Sequence, residues 1–298
     1  MSCSSQVRQV KVNAPPPPSQ TSSEPTISEF NGIKHRIAIA EFVDKSGYGS
    51  NLFGTIDDLG GQASDILNSH LIKTGEFIIL ERSKLGALKD ENQLQSKENS
   101  FLGVTALIFG SVTEFGTKTE VQDAGISKSK VQTAHAKVTI RMVDPKTGVA
   151  FYSEFGEANA EKTVSQVFGF GSKAGYDATL TDKALNGAVT KLVGNILNTL
   201  RSRPWSAPIL DIQGPQIFIG AGKRSGIKVG QVLQVLAPGK KIKNPSTGAM
   251  VELPGTIAGK IKVVSQFGTN EWDEGSVCSI LEGTGFQNTY RVELKENK

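Results

Sequence analysis

The sequence predicts an α/β sandwich domain with a mixed sheet, followed by a small all-β barrel domain. Three observations carry this expectation. Between residues 34 and 204, strand-like apolar runs alternate with helical stripes. Arg203-Pro204-Trp205-Ser206-Ala207-Pro208 then breaks the last helical stripe. From Ile209 onward there are only short strand-like runs and glycyl turns, with no helical period. The chain therefore divides into a linker over 1–33, an α/β domain over 34–204 and a β-domain over 205–298.

In the first domain, Ile37, Ile39 and Val43 together with Ala38, Ala40 and Phe42 are apolar on both faces, as a central strand requires. A long polar and glycyl loop follows. Leu59, Ala63, Ile66, Leu67, His70 and Leu71 then fall at helical spacing, and Thr74-Gly75 ends that helix. Phe77–Leu80 reads as a second buried strand, closed by Glu81-Arg82. Ser83 suits the N-cap of a polar helix over Lys84–Ser96. Thr105–Phe115 is the third strand. Over Thr133–Val143, Ala134, Ala136, Val138, Ile140 and Met142 share one face, and His135, Lys137, Thr139 and Arg141 share the other. Asp144-Pro-Lys-Thr-Gly148 makes the turn into a strand at Val149–Glu157. Asp182–Arg203 closes the domain as a helix capped by Asp182, with Leu185, Val189, Leu192, Val193, Ile196, Leu197 and Leu200 on its stripe.

The second domain offers strands at Gln216–Gly220, Gln231–Leu236, Ile257–Val264 and Val277–Leu281. Gly226-Ile-Lys-Val-Gly230 and Asn244-Pro-Ser-Thr-Gly248 supply turns. Cys278 lies inside a strand-like run and reads as a small buried hydrophobe.

Composition removes several classes of function. A net charge of +4 gives no electrostatic case for nucleic acid, which calls for a clustered basic face. No run of apolar residues is long enough for a spanning helix, although a spanning β-barrel escapes that test. His35, His70 and His135 have no carboxylate or cysteine at ligand spacing. Ala221-Gly222-Lys223-Arg224-Ser225-Gly226 invites a phosphate-loop reading. However, Ile217 stands where the first glycine belongs, and Arg224 stands where Ser or Thr belongs. Gly169-Phe-Gly171-Ser-Lys-Ala-Gly175 misses the dinucleotide spacing by one residue. Glu81-Arg82 has nothing near it in sequence to complete an acid–base site. No catalytic residue, metal site or cofactor is expected, and the chain does not read as an enzyme.

Two segments carry the functional expectation. The first is the loop Gly47-Tyr48-Gly-Ser-Asn51-Leu52-Phe53-Gly. The second is Val164–Leu180, where Val164, Phe168, Phe170, Tyr176, Ala178 and Leu180 share one strand parity. Gly169, Gly171, Lys173, Gly175 and Asp177 share the other, with a turn over Ser172–Gly175. That is the alternation of a membrane hairpin with aromatic girdles. A second hairpin at Thr117–Thr133 is crowded by Lys118, Glu120, Asp123, Lys128 and Lys130, with only Val121, Ile126 and Val131 strongly apolar. Four strands cannot close a barrel, so a spanning barrel would have to be built from a ring of protomers.

The order strand, glycyl loop, helix, strand ending in Leu80-Glu81-Arg82, helix, strand resembles the outer-membrane lipoproteins of the curli-secretion channel family. The resemblance reaches from Ile37 to Trp205. In that family the loop after the first strand carries Tyr, three residues, then Asn-Phe, and these side chains ring the pore constriction. The resemblance assigns that part to Tyr48, Asn51 and Phe53, although Asn51 comes one residue early and Leu52 intervenes. The β-domain, with Gly226-Ile227-Lys-Val-Gly230, resembles one found in some envelope and flagellar-ring proteins, where Gly-Val-Lys-Val-Gly recurs. Met1-Ser2-Cys3-Ser4-Ser5 resembles the cut end of a bacterial lipoprotein signal. Cys3 is then the lipidated residue, in a reading frame that is truncated or starts near the mature end. The Ser, Gln, Pro and Thr of residues 4–30, with Pro15–Pro18, would be an extended tether.

The resemblance implies a ring-forming subunit of a secretion or export channel, lipid-anchored on the periplasmic face of the outer membrane. Its partners would be further copies of itself and unfolded exported chains or appendage subunits, not nucleic acid. The alternative is a non-channel periplasmic scaffold or appendage-anchoring lipoprotein of the same fold.

Overall fold

A computed structural model of the chain describes residues 30, 32–48, 58–81, 103–123, 127–145, 147–167, 177–243, 245–246, 250–270 and 273–294. Strand β1 (His35–Asp44) lies inside a five-stranded mixed sheet. It pairs in parallel with β2 (Phe77–Glu81) on one side and β3 (Val104–Asp123) on the other, so that Ile37 stands opposite both Ile79 and Ala106. β3, β4 (Ser127–Val143) and β5 (Ala150–Val167) then follow as antiparallel neighbours. The order is β2-β1-β3-β4-β5. Two parallel neighbours explain why β1 is apolar on both faces: Ile37, Ala38 and Ile39 are all buried.

Helix α1 (Leu59–Thr74) connects β1 to β2. The Asp58 side chain accepts from Gly61 N–H at 2.8 Å and caps its start. Gly75 ends it in the left-handed region, with φ 69°. Leu59, Ala63, Leu67 and Leu71 form its buried stripe. Helix α2 runs over Thr179–Arg201 and buries Leu180, Ala184, Leu185, Ala188, Val189, Leu192, Ile196 and Leu200. Both helices share one hydrophobic cluster with Ala134, Ala136, Val138, Ile140 and Met142 of β4. The predicted inner face of β4 is therefore the face that α1 and α2 cover. Gly156 of β5 allows the close approach of α2, because a β-carbon there would stand 2.1 Å from the Ala188 carbonyl oxygen.

Two expectations change here, and a third is untested. α2 starts at Thr179, and its first residue is held by Asp177, which accepts from Thr179 N–H at 3.0 Å and from the Thr179 hydroxyl at 2.8 Å. Asp182 lies in the first turn instead, where a carboxylate meets the positive end of the helix dipole. β3 continues eight residues past Phe115, and β5 ten residues past Glu157, because the register with β4 is kept almost to the hairpin end. The helix expected over Lys84–Ser96 lies outside the described residues.

The second domain is a closed antiparallel barrel. Its strands are β6 (Ser206–Gln213), β7 (Gln216–Ile219), β8 (Val232–Ala237), β11 (Thr256–Phe267), β12 (Gly275–Glu282) and β13 (Arg291–Leu294). A small hairpin of β9 (Lys241–Lys243) and β10 (Met250–Glu252) stands apart from it. The spatial order is β11-β12-β7-β6-β13-β8, with β8 returning to β11. Ile209, Ile217, Ile219, Leu233, Val235, Ile261, Val263, Cys278 and Val292 fill it. Cys278 is fully buried, and desolvation pushes its thiol up to about 12. β6 and β13 were not expected from sequence, yet both are needed for closure. Each pairs with the other through Arg291 opposite Pro208.

The two domains meet at the segment before β1. Ile33 packs on the barrel core, and Lys34 N–H donates to the Ser225 carbonyl at 2.9 Å. Trp205 Nε1–H donates to the Lys34 carbonyl at 3.2 Å. Gly226, at φ 82°, sits so close to Gly32 that a β-carbon would lie 2.3 Å from the Gly32 oxygen.

Candidate functional site

β1 delivers the chain to Tyr48 at its carboxyl end, beside the root of the β3–β4–β5 arm. Asp44 turns the chain there by accepting from Ser46 N–H at 2.8 Å and from the Ser46 hydroxyl at 2.6 Å. The Tyr48 ring stands edge-on to Phe115, with centroids 4.7 Å apart, and its hydroxyl lies 3.0 Å from Thr117 Oγ1. Tyr48 is 38% exposed, so the ring is held on one side and open on the other. Asn51 and Phe53, the other two expected constriction residues, lie outside the described residues, as do Cys3, Phe168, Phe170 and Tyr176.

Past Val112, β3 has no register partner in β1, so β3, β4 and β5 continue as a three-stranded arm. Directly opposite residues share a face. One face carries Thr119, Gln132 and Lys162, then Val121 and Lys130. The other carries Lys118, Thr133 and Glu161, then Glu120, Val131 and Thr163. Both faces are polar and charged. Lys118 pairs with Glu120, and Lys162 pairs with Asp177. Gln132, midway along the arm opposite Thr119, is buried and accepts from Asp177 N–H at 3.3 Å. The hydrogen bond from Lys162, followed by those from Thr179, lowers the Asp177 carboxyl to about 2.

Leu180 does not belong to a membrane hairpin. It lies in the first turn of α2 with its side chain fully buried against the sheet. Its strand parity with Val164 coincides with the helical spacing Leu180, Ala184, Ala188, Leu192 that docks α2. The backbone of Val164 stands in β5 opposite Lys130.

On the sheet face that α1 and α2 leave open, Lys137 Nζ donates to Glu114 at 2.8 Å and lies 4.6 Å from the Phe155 ring centre. The hydrogen bond from Lys137 lowers the Glu114 carboxyl, and the same bond raises the Lys137 ammonium. His135 Nδ1 is 2.8 Å from Asn159 Oδ1 on the same face. His70 Nε2 bridges to Asn186 Oδ1 at 2.9 Å on the outer helical side. His35 is different: burial lowers its pKa, and Nδ1 meets no hydrogen-bond partner. The three histidines are not brought together. Among the described residues, no group of three His, Cys, Asp or Glu could hold a metal ion, and no helix is long and apolar enough to cross a membrane.

Sequence reasoning did not single out Arg36 and Glu274, which join the domains at 3.0 Å. The one available signal was a carboxylate, Glu274, placed immediately before a strand-like run whose neighbours are buried.

A family model described as "Curli production assembly/transport component CsgG" matches residues 21–230. The chain belongs to this family. The match covers the sheet domain and continues through β6 and β7 of the barrel. A Neisseria meningitidis serogroup B protein named "Putative lipoprotein NMB1126/NMB1164" is 32% identical over 182 residues, which is 60% of this chain and 82% of that protein. Among solved structures, lipoprotein GNA1162 of Neisseria meningitidis is 16% identical, covering 57% of this chain and 99% of its own, with a TM-score of 0.28. The PelC dodecamer of Paraburkholderia phytofirmans is 13% identical, covering 54% and 87%, also with a TM-score of 0.28. The CsgG-family domain here thus precedes an extra region, the rest of the closed barrel from β8 onward.

Proposed function

We propose that this CsgG-family chain is a lipid-anchored envelope protein, tethered through Cys3 and the Pro-rich segment to the periplasmic face of the outer membrane. There it acts as a self-assembling scaffold or appendage anchor, not as a bilayer-spanning channel, and it catalyses no reaction. The observation that carries this reading is the arm. Charged side chains stand on both of its faces, Lys162 and Lys130 on one and Lys118, Glu120 and Glu161 on the other. A lipid-facing strand needs one continuous apolar face, and a lysine or arginine there costs about 2–4 kcal/mol at mid-bilayer. In water the same arm has no such penalty. Its outer edges, β3 beyond Val112 and the far side of β5, have no strand partner among the described residues. Open edges of this kind favour pairing with further copies, and a ring closes them.

The channel reading, with export of unfolded chains or appendage subunits, is supported by a different observation. Tyr48 is presented half-open at the carboxyl end of β1, and Val164, Phe168, Phe170 and Tyr176 keep one strand parity. Planar-bilayer recording on the purified oligomer separates the two readings. The scaffold reading expects intact rings without conductance, and discrete conductance steps would replace it with the channel. Palmitate-analogue labelling of the full-length gene product tests the anchor: label is expected on the wild type and lost in Cys3→Ala, and an unlabelled wild type ends that part of the reading.

A further inference from the structure

The turn Gly222-Lys223-Arg224-Ser225-Gly226 lacks the spacing of a phosphate loop, but it is firmly built. Buried Glu274 accepts from Arg224 N–H at 2.8 Å, from Ser225 N–H at 3.2 Å and from the Ser225 hydroxyl. The turn is thereby fixed from beneath, and the Lys223 and Arg224 side chains are exposed. The Arg224 guanidinium donates from Nε and Nη2 to the Thr269 carbonyl at 3.2 and 3.0 Å, which ties the turn to the end of β11.

A cleft of about 1180 Å³ opens beside this turn, where the barrel meets the segment before β1 and the end of α1. Lys34, Lys223, Arg224 and Lys228 line it. Among its described lining residues the one carboxylate is Glu274, already matched by Arg36. The cleft is therefore net cationic, and low-dielectric walls of one sign focus the field within it. Phe30, Phe267 and Val229 also line it, at 38%, 40% and 60% exposure.

We propose that this cleft binds an extended acidic peptide segment with interspersed apolar side chains, supplied by a partner protein. Phosphate recognition needs convergent donors. Here the turn N–H groups point inward to Glu274, and the Arg224 fork is committed to Thr269. What remains is Lys34, Lys223 and Lys228, whose ammoniums act as point charges on long stems, together with the apolar surface of Phe30, Val229 and Phe267. Point charges of this kind suit carboxylates carried along an extended chain, whose apolar residues would meet Phe30 and Phe267. A flat bilayer would not fill a concave site. The inference does not depend on the scaffold or the channel reading.

The test uses the full chain and a short fluorescein-labelled peptide alternating glutamate with phenylalanine, read by fluorescence anisotropy. The glutamate peptide is expected to bind and its glutamine analogue not to bind. Lys223→Glu/Lys228→Glu should weaken binding about tenfold or more, and Lys262→Glu, on an exposed position of β11 outside the cleft, should leave it unchanged. Matching melting curves establish that the variants fold, and Lys223→Gln/Lys228→Gln gives a milder second test. Equal binding of the glutamine peptide, or wild-type affinity in the cleft variants, overturns the proposal. So does displacement by inorganic phosphate, or capture by phosphatidylglycerol vesicles that the cleft variants abolish, since either would make the site a phosphate or lipid site.

Discussion

Arg36 and Glu274 are 238 positions apart in the chain and meet at 3.0 Å, with side chains 14% and 3% exposed. This ion pair fastens the first strand of the sheet domain to the barrel turn that Glu274 also holds through Arg224 and Ser225. A buried pair need not stabilise relative to an apolar replacement, but losing one partner strands the other charge. Arg36→Met should therefore destabilise the full chain by about 3–5 kcal/mol. The double variant Arg36→Met/Glu274→Gln should recover part of that loss, although Arg224 and Ser225 keep some need for an acceptor. Chemical denaturation of the three proteins measures both quantities. An unchanged midpoint in the single variant would remove the latch from the account.

His35 sets a pH dependence. Burial lowers its pKa below the ordinary 6.5, and the nearby Arg203 charge lowers it further. The unfolded chain then takes up the proton first as pH falls, so stability is complete above 6.5 and declines from there toward the folded-state pKa. The melting temperature should drop between neutral and mildly acidic pH, and His35→Gln should flatten that drop. A wild-type melting temperature that rises over this interval would contradict the direction of the shift.

Gly156 tests the docking of α2. A β-carbon at this position would collide with the Ala188 carbonyl, which belongs to helix backbone and has little room to yield. Gly156→Ala should cost about 1–3 kcal/mol, in the range of an overpacked core. Gly194→Ala is the control, because a β-carbon there meets nothing within 4 Å and lies inside a helix. That change should be neutral or mildly stabilising.

Tyr48 is held by an edge-on contact with Phe115 and one hydroxyl contact with Thr117, both at a partly open position. Tyr48→Phe should change stability by about 1 kcal/mol or less. Tyr48→Ala should cost more, through the lost ring contact, yet well under the 3–5 kcal/mol typical of a fully buried aromatic. A loss in that upper range would make Tyr48 a core residue and would remove it from any role in an open ring.

Strong periodicity was legible. β4 could be read because five apolar side chains fall on one parity and polar ones on the other, and all five are buried against α1 and α2. The α2 stripe from Leu185 to Leu200 was legible for the same reason. Its start was not, because Asp177 and Asp182 are both plausible caps by type, and only the hydrogen bonds to Thr179 separate them. Leu180 was misplaced because even spacing satisfies a strand and, every fourth residue, a helix. β6 was hidden by Pro208, which the β6–β13 pairing accommodates. β13 was hidden by its length of four residues. The latch and the cationic cleft could not be read at all. They depend on side chains that no local pattern relates, brought together when the segment before β1 lies across the barrel.

A scaffold requires that the arm of β3, β4 and β5 stand in water. Val121 and Val131 lie on its opposite faces, and Val121 is 65% exposed. Val121→Cys and Val131→Cys can each carry an environment-sensitive fluorophore in the lipidated protein, since the buried Cys278 thiol, pushed up to about 12, stays unreactive. The two labelled proteins are reconstituted with vesicles that contain nitroxide lipids. The scaffold account predicts a watery emission at both positions and no quenching by lipid. Lipid quenching on one face, with a watery signal on the other, would contradict it and place a spanning barrel in its stead.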